Sequence, residues 1–288
     1  MISINNVKVS FNEKLALDIN KAIEINDGDR VGIIGSNGAG KTTLIRAILG
    51  LVDYQGKIKT SVASEDIAVH MQSNEYIDTV NIRTIMEAIL GQKLEDNKEV
   101  MDMIEFFDFR DCLKKRFKHL SGGQKQRLTL ILVICQNSPI TMFDEVTSGL
   151  DFETRQRLMD KLDSFYKDKN TTLLITSHYY EELDNLVNKI LYLDKGKVID
   201  YGYKDELFKK YCGNSIIVFP EKFSDESLIS GHKRIKGPKD SVVLSCENSF
   251  EEVEIIKKLS ERNINFVRSN KDIEVMTINA KARFYVEE

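Results

Sequence analysis

The sequence has no long apolar run and no surplus of basic charge, and these two absences narrow its possible functions first. The longest uninterrupted apolar stretch, residues 130–135, falls far short of the about 20 residues a membrane-spanning helix needs. If the protein serves a membrane, another chain does the spanning. Basic and acidic residues number 41 and 45, for a formal net charge of −4. Binding along a phosphate backbone draws on a basic surplus or stripe, so nucleic acid is not expected as a partner. Cysteine is scarce: Cys112, Cys135, Cys212 and Cys246 stand far apart with no CxxC. That pattern fits reduced thiols of a cytosolic protein and disfavours a zinc site or a disulfide framework. The first residues lack the basic-then-apolar layout of a secretory signal, so a cytoplasmic location is expected. Lys204-Asp205-Glu206-Leu207 spells an ER-retention address but is internal and is discarded. Internal repeats, low-complexity tracts and heptad arms are also missing.

What remains is a globular pattern. With 288 residues, 42% apolar and 30% charged, the chain is expected to form about two domains with packed cores and solvated surfaces. Residues 1–30 alternate apolar and polar at Ile2, Ile4, Val7, Val9 and Phe11, which predicts strands and a hairpin; Asp27-Gly28 marks a turn. Val31-Gly32-Ile33-Ile34 reads as a buried parallel strand, followed by a glycine-rich segment. A helix is expected from about Lys41, ended by Gly50. Between about residues 75 and 120 the period turns helical. Ile82, Ile85, Met86, Ile89 and Leu90 make one apolar face closed by Gly91. Val100, Met103, Ile104 and Phe107 make another, opened by Asp96 and Glu99 as a capping box. A third helix is expected over 122–135, and Pro139 separates it from a strand at 140–143. Further buried strands are expected at 173–176 and 190–193.

After about residue 212 the phosphate-binding logic stops. Strands are expected at 215–219 and 242–246. A helix opened by Ser249 and Glu252 should carry Phe250, Val253, Ile256 and Leu259 on one side. More strands are expected near 264–267, 273–278 and 284–286, making a small α+β appendage over 213–288.

The chemistry sits in three short segments. Gly35-Ser36-Asn37-Gly38-Ala39-Gly40-Lys41-Thr42 fits G-x-x-x-x-G-K-[ST] between a strand and a helix. The glycines let backbone N–H groups face phosphate oxygens, and the new helix aims its positive end at the same anion. Lys41 supplies a point charge for the β- and γ-phosphates of ATP, and the Thr42 hydroxyl can ligate Mg²⁺. About 100 residues later, the strand at 140–143 ends in two carboxylates. Asp144 is placed to hold Mg²⁺, and Glu145, pointing differently, to polarise the attacking water. Ser121-Gly122-Gly123-Gln124 opens a helix and makes a second anion-binding end.

Leu120-Ser121-Gly122-Gly123-Gln124-Lys125-Gln126-Arg127, with the phosphate loop and Asp144-Glu145, closely resembles the ATP-binding-cassette (ABC) proteins over roughly residues 1–212. The resemblance implies an α/β P-loop NTPase fold with an antiparallel β subdomain and a helical insertion at about 75–120, the appendage following it. It implies that residues 35–43, Thr43 included, wrap the phosphates, while Ser121, Gly122, Gly123 and Gln124 face the γ-phosphate held by a second ATPase subunit. Gln72 matches the glutamine loop, which touches Mg²⁺ and water. Ser148-Gly149-Leu150-Asp151 matches the loop that crosses the dimer interface, and His178 the switch histidine that reaches the γ-phosphate. Phe11 either stacks on adenine or continues the Val7/Val9 core face. Val146 stands where the family usually has proline, which puts the stiffness of the turn after Glu145 in question, and Thr141 interrupts an aliphatic strand.

The resemblance extends to a role. An ATPase of this kind works beneath an integral membrane permease, peripheral to the inner face of the cell membrane, paired with its own copy or a sister ATPase. His178-Tyr179-Tyr180-Glu181-Glu182 looks like the pattern of drug, antibiotic and peptide exporters, so an exporter motor is expected. The nearest likeness is to ATPases of peptide-toxin exporters, of the phenol-soluble-modulin or lantibiotic-immunity kind. A soluble cluster-assembly ATPase and an importer ATPase with a regulatory tail are the alternatives. The appendage is expected to be a dimerisation surface or a ligand-binding module.

Overall fold

The computed structural model describes residues 1–12, 14–71, 75–148, 150–177 and 179–287. Gln72, Gly149 and His178 lie outside the described residues.

The cassette is built on one ten-stranded mixed sheet. Its first strands are β1 (Ile2–Phe11), β2 (Lys14–Ile19), β3 (Ile23–Ile25) and β4 (Arg30–Ile34), followed by helix α1 (Lys41–Ile48). Strands β5 (Gln55–Thr60) and β6 (Ala68–His70) lead to helices α2 (Ile82–Leu90), α3 (Lys98–Phe106) and α4 (Gly122–Cys135). Then come β7 (Ile140–Asp144), α5 (Phe152–Tyr166), β8 (Thr172–Thr176) and α6 (Tyr180–Leu186). The sheet is completed by β9 (Lys189–Asp194) and β10 (Lys197–Tyr203), and α7 (Lys204–Cys212) follows. The strand order is β3-β1-β2-β10-β9-β4-β8-β7-β6, with β5 paired to β1. Strands β6, β7, β8, β4 and β9 run parallel, and the antiparallel strands continue the same sheet through β2 and β10. This is the α/β cassette architecture expected from the sequence.

Two apolar cores cover the sheet. One packs α1 residues Leu44 and Ile45 on Ile2, Ile4, Val31 and Ile33; the other packs α2 to α5 with Phe143 and Ile175. Continuous apolar strands such as β7 and β8 are buried on both faces for that reason. In β1 the alternation changes phase between Ile4 and Val7, yet all four of Ile2, Ile4, Val7 and Val9 are buried. Asn6 resolves the mismatch by adopting φ +49, and the register with β5 shifts there as a bulge. The partner strand must then carry glycine: a Cβ on Gly56 would lie 2.0 Å from the Asn6 carbonyl oxygen.

Helix starts differ by one residue from the sequence reading. Asn97 caps α3 through Val100 N–H in place of Asp96. Gly91 closes α2 in the left-handed conformation, and Gly50 follows the Leu49 cap of α1 at φ +69. On α2, Ile82, Ile85 and Met86 are buried, whereas Ile89 is exposed.

Beyond α7, a second sheet holds β11 (Ser215–Pro220), β12 (Lys233–Ile235), β13 (Ser241–Cys246) and β14 (Val267–Ser269). Its helices are α8 (Glu226–Ile229) and α9 (Ser249–Glu261). The antiparallel order β12-β13-β11-β14 with these two crossings is a split β-α-β-β-α-β unit. Asn248, not Ser249, caps α9, accepting from Phe250 and Glu251 N–H. Ile255 and Leu259 form the buried stripe of α9, whereas Phe250 and Val253 are 79% and 63% exposed. The sheet is narrow, so α9 buries only a narrow stripe.

The largest correction is at the end of the chain. The strands expected at 273–278 and 284–286 are one helix, α10 (Ile273–Glu287). Its β-branched alternation is real, but burial at Ile273, Met276, Thr277 and Ala280 follows the helical period. Asp272 starts it by accepting from Val275 N–H. The buried side chains of α10 join the cassette's core beside α6 and α7, so the helix leaves the second sheet and returns to the first unit.

Candidate nucleotide site

The strand-to-helix turn after β4 forms a cradle. Gly35, Gly38 and Gly40 have φ +151, +77 and +103, which side chains rarely adopt. A Cβ on Gly35 would meet the Leu193 carbonyl oxygen at 2.2 Å, so the loop can pass β9 only as glycine. Gly40 caps α1 with no side-chain hydrogen bond, and the first turn holds no acidic residue. The positive end of α1 is left open to an anion.

Lys41 is buried beneath this loop. Its Nζ donates to Gly35 O at 2.8 Å and Ser36 O at 3.3 Å, and lies 3.9 Å from Glu145 Oε1. Burial pulls its pKa below the usual lysine range, opposed by the carboxylates of Glu145 and Asp144. Asp144 ends β7 fully buried. Its Oδ2 accepts from Thr42 Oγ1 and its Oδ1 from Thr176 Oγ1, both at 2.8 Å. Thr176 also accepts from Glu145 N–H at 2.8 Å, so the end of β8 fixes both acidic residues. Thr176 carries no sequence signature; its role follows from the pairing of Asp144 with Thr176 across β7 and β8.

Glu145 sits at φ +52, a conformation that costs a non-glycine residue about 1–2 kcal/mol. The bend turns its carboxylate back toward the phosphate loop. Glu145 lines two clefts at once. One, of about 530 Å³, is walled by residues 37–43 with Phe11, Leu15 and Lys195. The other, of about 550 Å³, lies under the helical insertion and includes His70, Gln126 and Ser148. Burial holds His70 neutral, down at about 4. Phe11 is 45% exposed on the rim of the first cleft rather than packed with Val7 and Val9. Leu15 and Lys195 come from β2 and from the β9–β10 turn, segments without a local motif.

The turn after Glu145 lacks proline, and hydrogen bonds from side chains and backbone hold it instead. Gln126 Nε2 donates to Val146 O at 3.1 Å, and Ser148 N–H to Glu145 O at 3.0 Å. Glu182 Oε2 accepts from Thr147 Oγ1 at 2.9 Å and from Ser177 Oγ at 2.7 Å. Its other oxygen lies 3.6 Å from Arg155, whose guanidinium stacks 3.8 Å from the Tyr179 ring centre. One carboxylate therefore ties the loop after β7 to the loop after β8.

The remaining predicted residues lie apart from the phosphate cleft. Ser121 caps α4 in a reciprocal capping box: its Oγ accepts from Gln124 N–H, and Gln124 Oε1 accepts from Ser121 N–H. Among the described residues lining the phosphate cleft, none belongs to Ser121, Gly122, Gly123 or Gln124. Asp151 caps α5 through Thr154 N–H and Oγ1, and those bonds hold its carboxyl below the usual range.

Hard oxygen donors at Thr42 and Asp144 converge at the mouth of the phosphate loop, which fits Mg²⁺ held by one carboxylate, a hydroxyl and substrate oxygens. Among the described residues, no cluster of three or more metal-binding side chains competes with it.

Comparison with known proteins agrees. Residues 20–148 match the family described as ABC transporter. The chain is 29% identical to the methionine import ATP-binding protein MetN of Clostridioides difficile, over 80% of this chain and 82% of that protein. It is 27% identical to the MetN of Clostridium tetani, over 87% and 89%. Among solved structures, an ATP-binding subunit of an ABC transporter superposes with a TM-score of 0.64 at 19% identity, covering 73% of this chain and 93% of that one. A dimeric ATP-binding cassette in a post-hydrolysis state with ADP and Pi superposes with a TM-score of 0.60 at 21% identity, covering 70% and 98%.

These relatives overturn the exporter expectation, since they are named import proteins. Within the pattern Tyr179-Tyr180-Glu181-Glu182, Glu182 is engaged locally by Thr147, Ser177 and Arg155. The chain has the P-loop ATPase fold of ABC cassettes, and within it residues 20–148 match the ABC transporter family.

Proposed function

We propose that this chain is the ATPase subunit of a membrane importer, binding MgATP and hydrolysing it at sites shared between two copies. The observation that carries the import reading is the run of import ATP-binding proteins among its relatives. The alignment with the Clostridium tetani protein covers 87% of the chain, more than residues 1–212 make up. The likeness therefore extends into the second sheet.

In this reading the first cleft takes the nucleotide. The phosphate loop and Lys41 hold the phosphates, Thr42 and Asp144 supply oxygens for Mg²⁺, and Phe11 stacks on the base at the rim. Bound Mg²⁺ neutralises charge on the phosphate oxygens. Glu145, bent toward the loop, accepts a proton from the attacking water. His178 and Gln72, outside the described residues, are the further catalytic residues of this reading. Ser121 to Gln124 serve the partner's nucleotide, in keeping with their place outside this chain's own cleft. In this reading a separate permease carries the solute; among the described residues no helix is long and apolar enough to cross a membrane. The helical insertion, whose cleft Glu145 also lines, is the surface offered to it.

Uptake tests the reading. Cells whose only copy is Lys41→Ala should accumulate less labelled methionine, the solute named for the relatives, or less of another amino acid in a competition panel. Unchanged uptake across that panel, with loss of efflux of any compound, would overturn import.

A further inference from the structure

The turn between β9 and β10 touches the phosphate loop on one side and the last helix of the chain on the other. Gly196 N–H donates to Ala39 O at 3.1 Å, and the Leu193 carbonyl is the surface against which Gly35 must be glycine. Asp194, 1% exposed, accepts from Ser36 Oγ at 3.4 Å. Lys195 lines the nucleotide cleft. From the far side, Lys281 Nζ reaches Asp194 Oδ1 at 2.9 Å and Tyr285 OH reaches Oδ2 at 2.8 Å. The Lys195 ammonium lies 5.6 Å from the Tyr285 ring centre.

A carboxylate this buried is costly unless paired, and its strongest partners come from 87 and 91 residues further along the chain. Burial alone would raise the Asp194 pKa, but the bonds from Lys281 and Tyr285 outweigh it and keep the group charged. Helix α10 is itself anchored by Ile273, Val275, Met276 and Ala280 in the cassette core. Its position is therefore fixed independently of the bonds to Asp194.

We infer that Asp194 is a positioning residue for the phosphate loop, and that α10 sets the affinity for nucleotide by holding it through Lys281 and Tyr285. The inference concerns ATP binding and stands whichever way a solute is moved. Coupling of this kind is reciprocal: if docked α10 tightens MgATP binding, bound MgATP must tighten the docking of α10 by the same factor.

The test uses the full-length chain. Lys281→Met/Tyr285→Phe should raise the Kd for MgATP about 5- to 10-fold, with kcat at saturating ATP within about 2-fold of wild type. Asp194→Asn should behave alike, and Lys281→Arg with Tyr285 intact should restore wild-type affinity. In the wild-type chain, amide exchange over 273–287 should slow when MgATP binds, and it should slow less in the double variant. Unchanged Kd in a folded double variant, or exchange in α10 indifferent to MgATP, overturns the inference. If the double variant fails to fold, Asp194→Asn and the wild-type exchange measurement decide it by themselves.

Discussion

Two helices of this molecule begin with glycine-rich turns suited to anions, and they are finished in opposite ways. The N-terminus of α1 has Gly40 as its cap, no side-chain bond and no acid in its first turn. The N-terminus of α4 has Ser121 and Gln124 closing a complete capping box. At α1 the backbone donors stay available and Lys41 stands beside them, which suits a site that binds a phosphate chain by itself. At α4 the capping box engages the Ser121 and Gln124 N–H groups, so that end is stable without a ligand. The difference teaches that a similar local signal, glycines at a helix start, can make one end left open to an anion and another closed by its own side chains.

Glu145 lies between the clefts that the two ends border, and removing its charge should give the largest effect. Glu145→Gln keeps size and leaves both helix ends intact, so MgATP binding should persist. Hydrolysis should fall on the order of 10²–10⁴-fold, about 3–5 kcal/mol of barrier, in a single-turnover assay. Turnover within a few-fold of wild type would move the role of base elsewhere.

Lys41→Ala attacks the α1 end alone. Losing one charge-assisted contact of about 1.5–3 kcal/mol should weaken MgATP binding about 10- to 100-fold by equilibrium dialysis, while α4 and its cap are untouched. An unchanged Kd would erase the contrast between the ends.

The loop network predicts a smaller loss. Glu182→Ala frees Thr147 and Ser177 and loosens the bend that aims Glu145, so kcat should fall about 10-fold with Kd for MgATP unchanged. Thr147→Val should reproduce part of the loss and Thr147→Ser should not. Smaller still, Ser121→Ala removes the α4 cap and should cost about 1 kcal/mol of stability in urea unfolding.

Legibility followed the chemistry. Lys41, Thr42, Asp144 and Glu145 stand in short motifs because phosphate loops and paired carboxylates constrain neighbouring residues, and the structure pairs Thr42 with Asp144 and sets Lys41 beside Glu145. Thr176, Lys195 and Asp194 join the same site from other strands, through pairings and a turn that no local pattern encodes. The last helix was hidden for another reason. Ile273, Val275 and Ile278 are β-branched and partly alternate, and only packing against α6 and α7 selects the helical period. The exporter expectation from the 178–182 pattern fails against relatives named as import proteins, and Glu182 of that pattern is a strut between two loops.

The central claim is that each site needs the α1 end of one copy and the α4 end of another. Lys41→Ala spoils the first, and Ser121→Arg places a bulky cation where the partner's γ-phosphate belongs. Each variant alone should hydrolyse ATP at least about 100-fold more slowly than wild type. Mixed in equal amounts, they should form dimers in which the Ser121→Arg chain lends its intact phosphate loop and the Lys41→Ala chain its intact signature. The account predicts that hydrolysis returns on mixing, to a sizeable fraction of wild type and with a dependence on total protein concentration. Activity in the mixture equal to the sum of the two separate variants would contradict it.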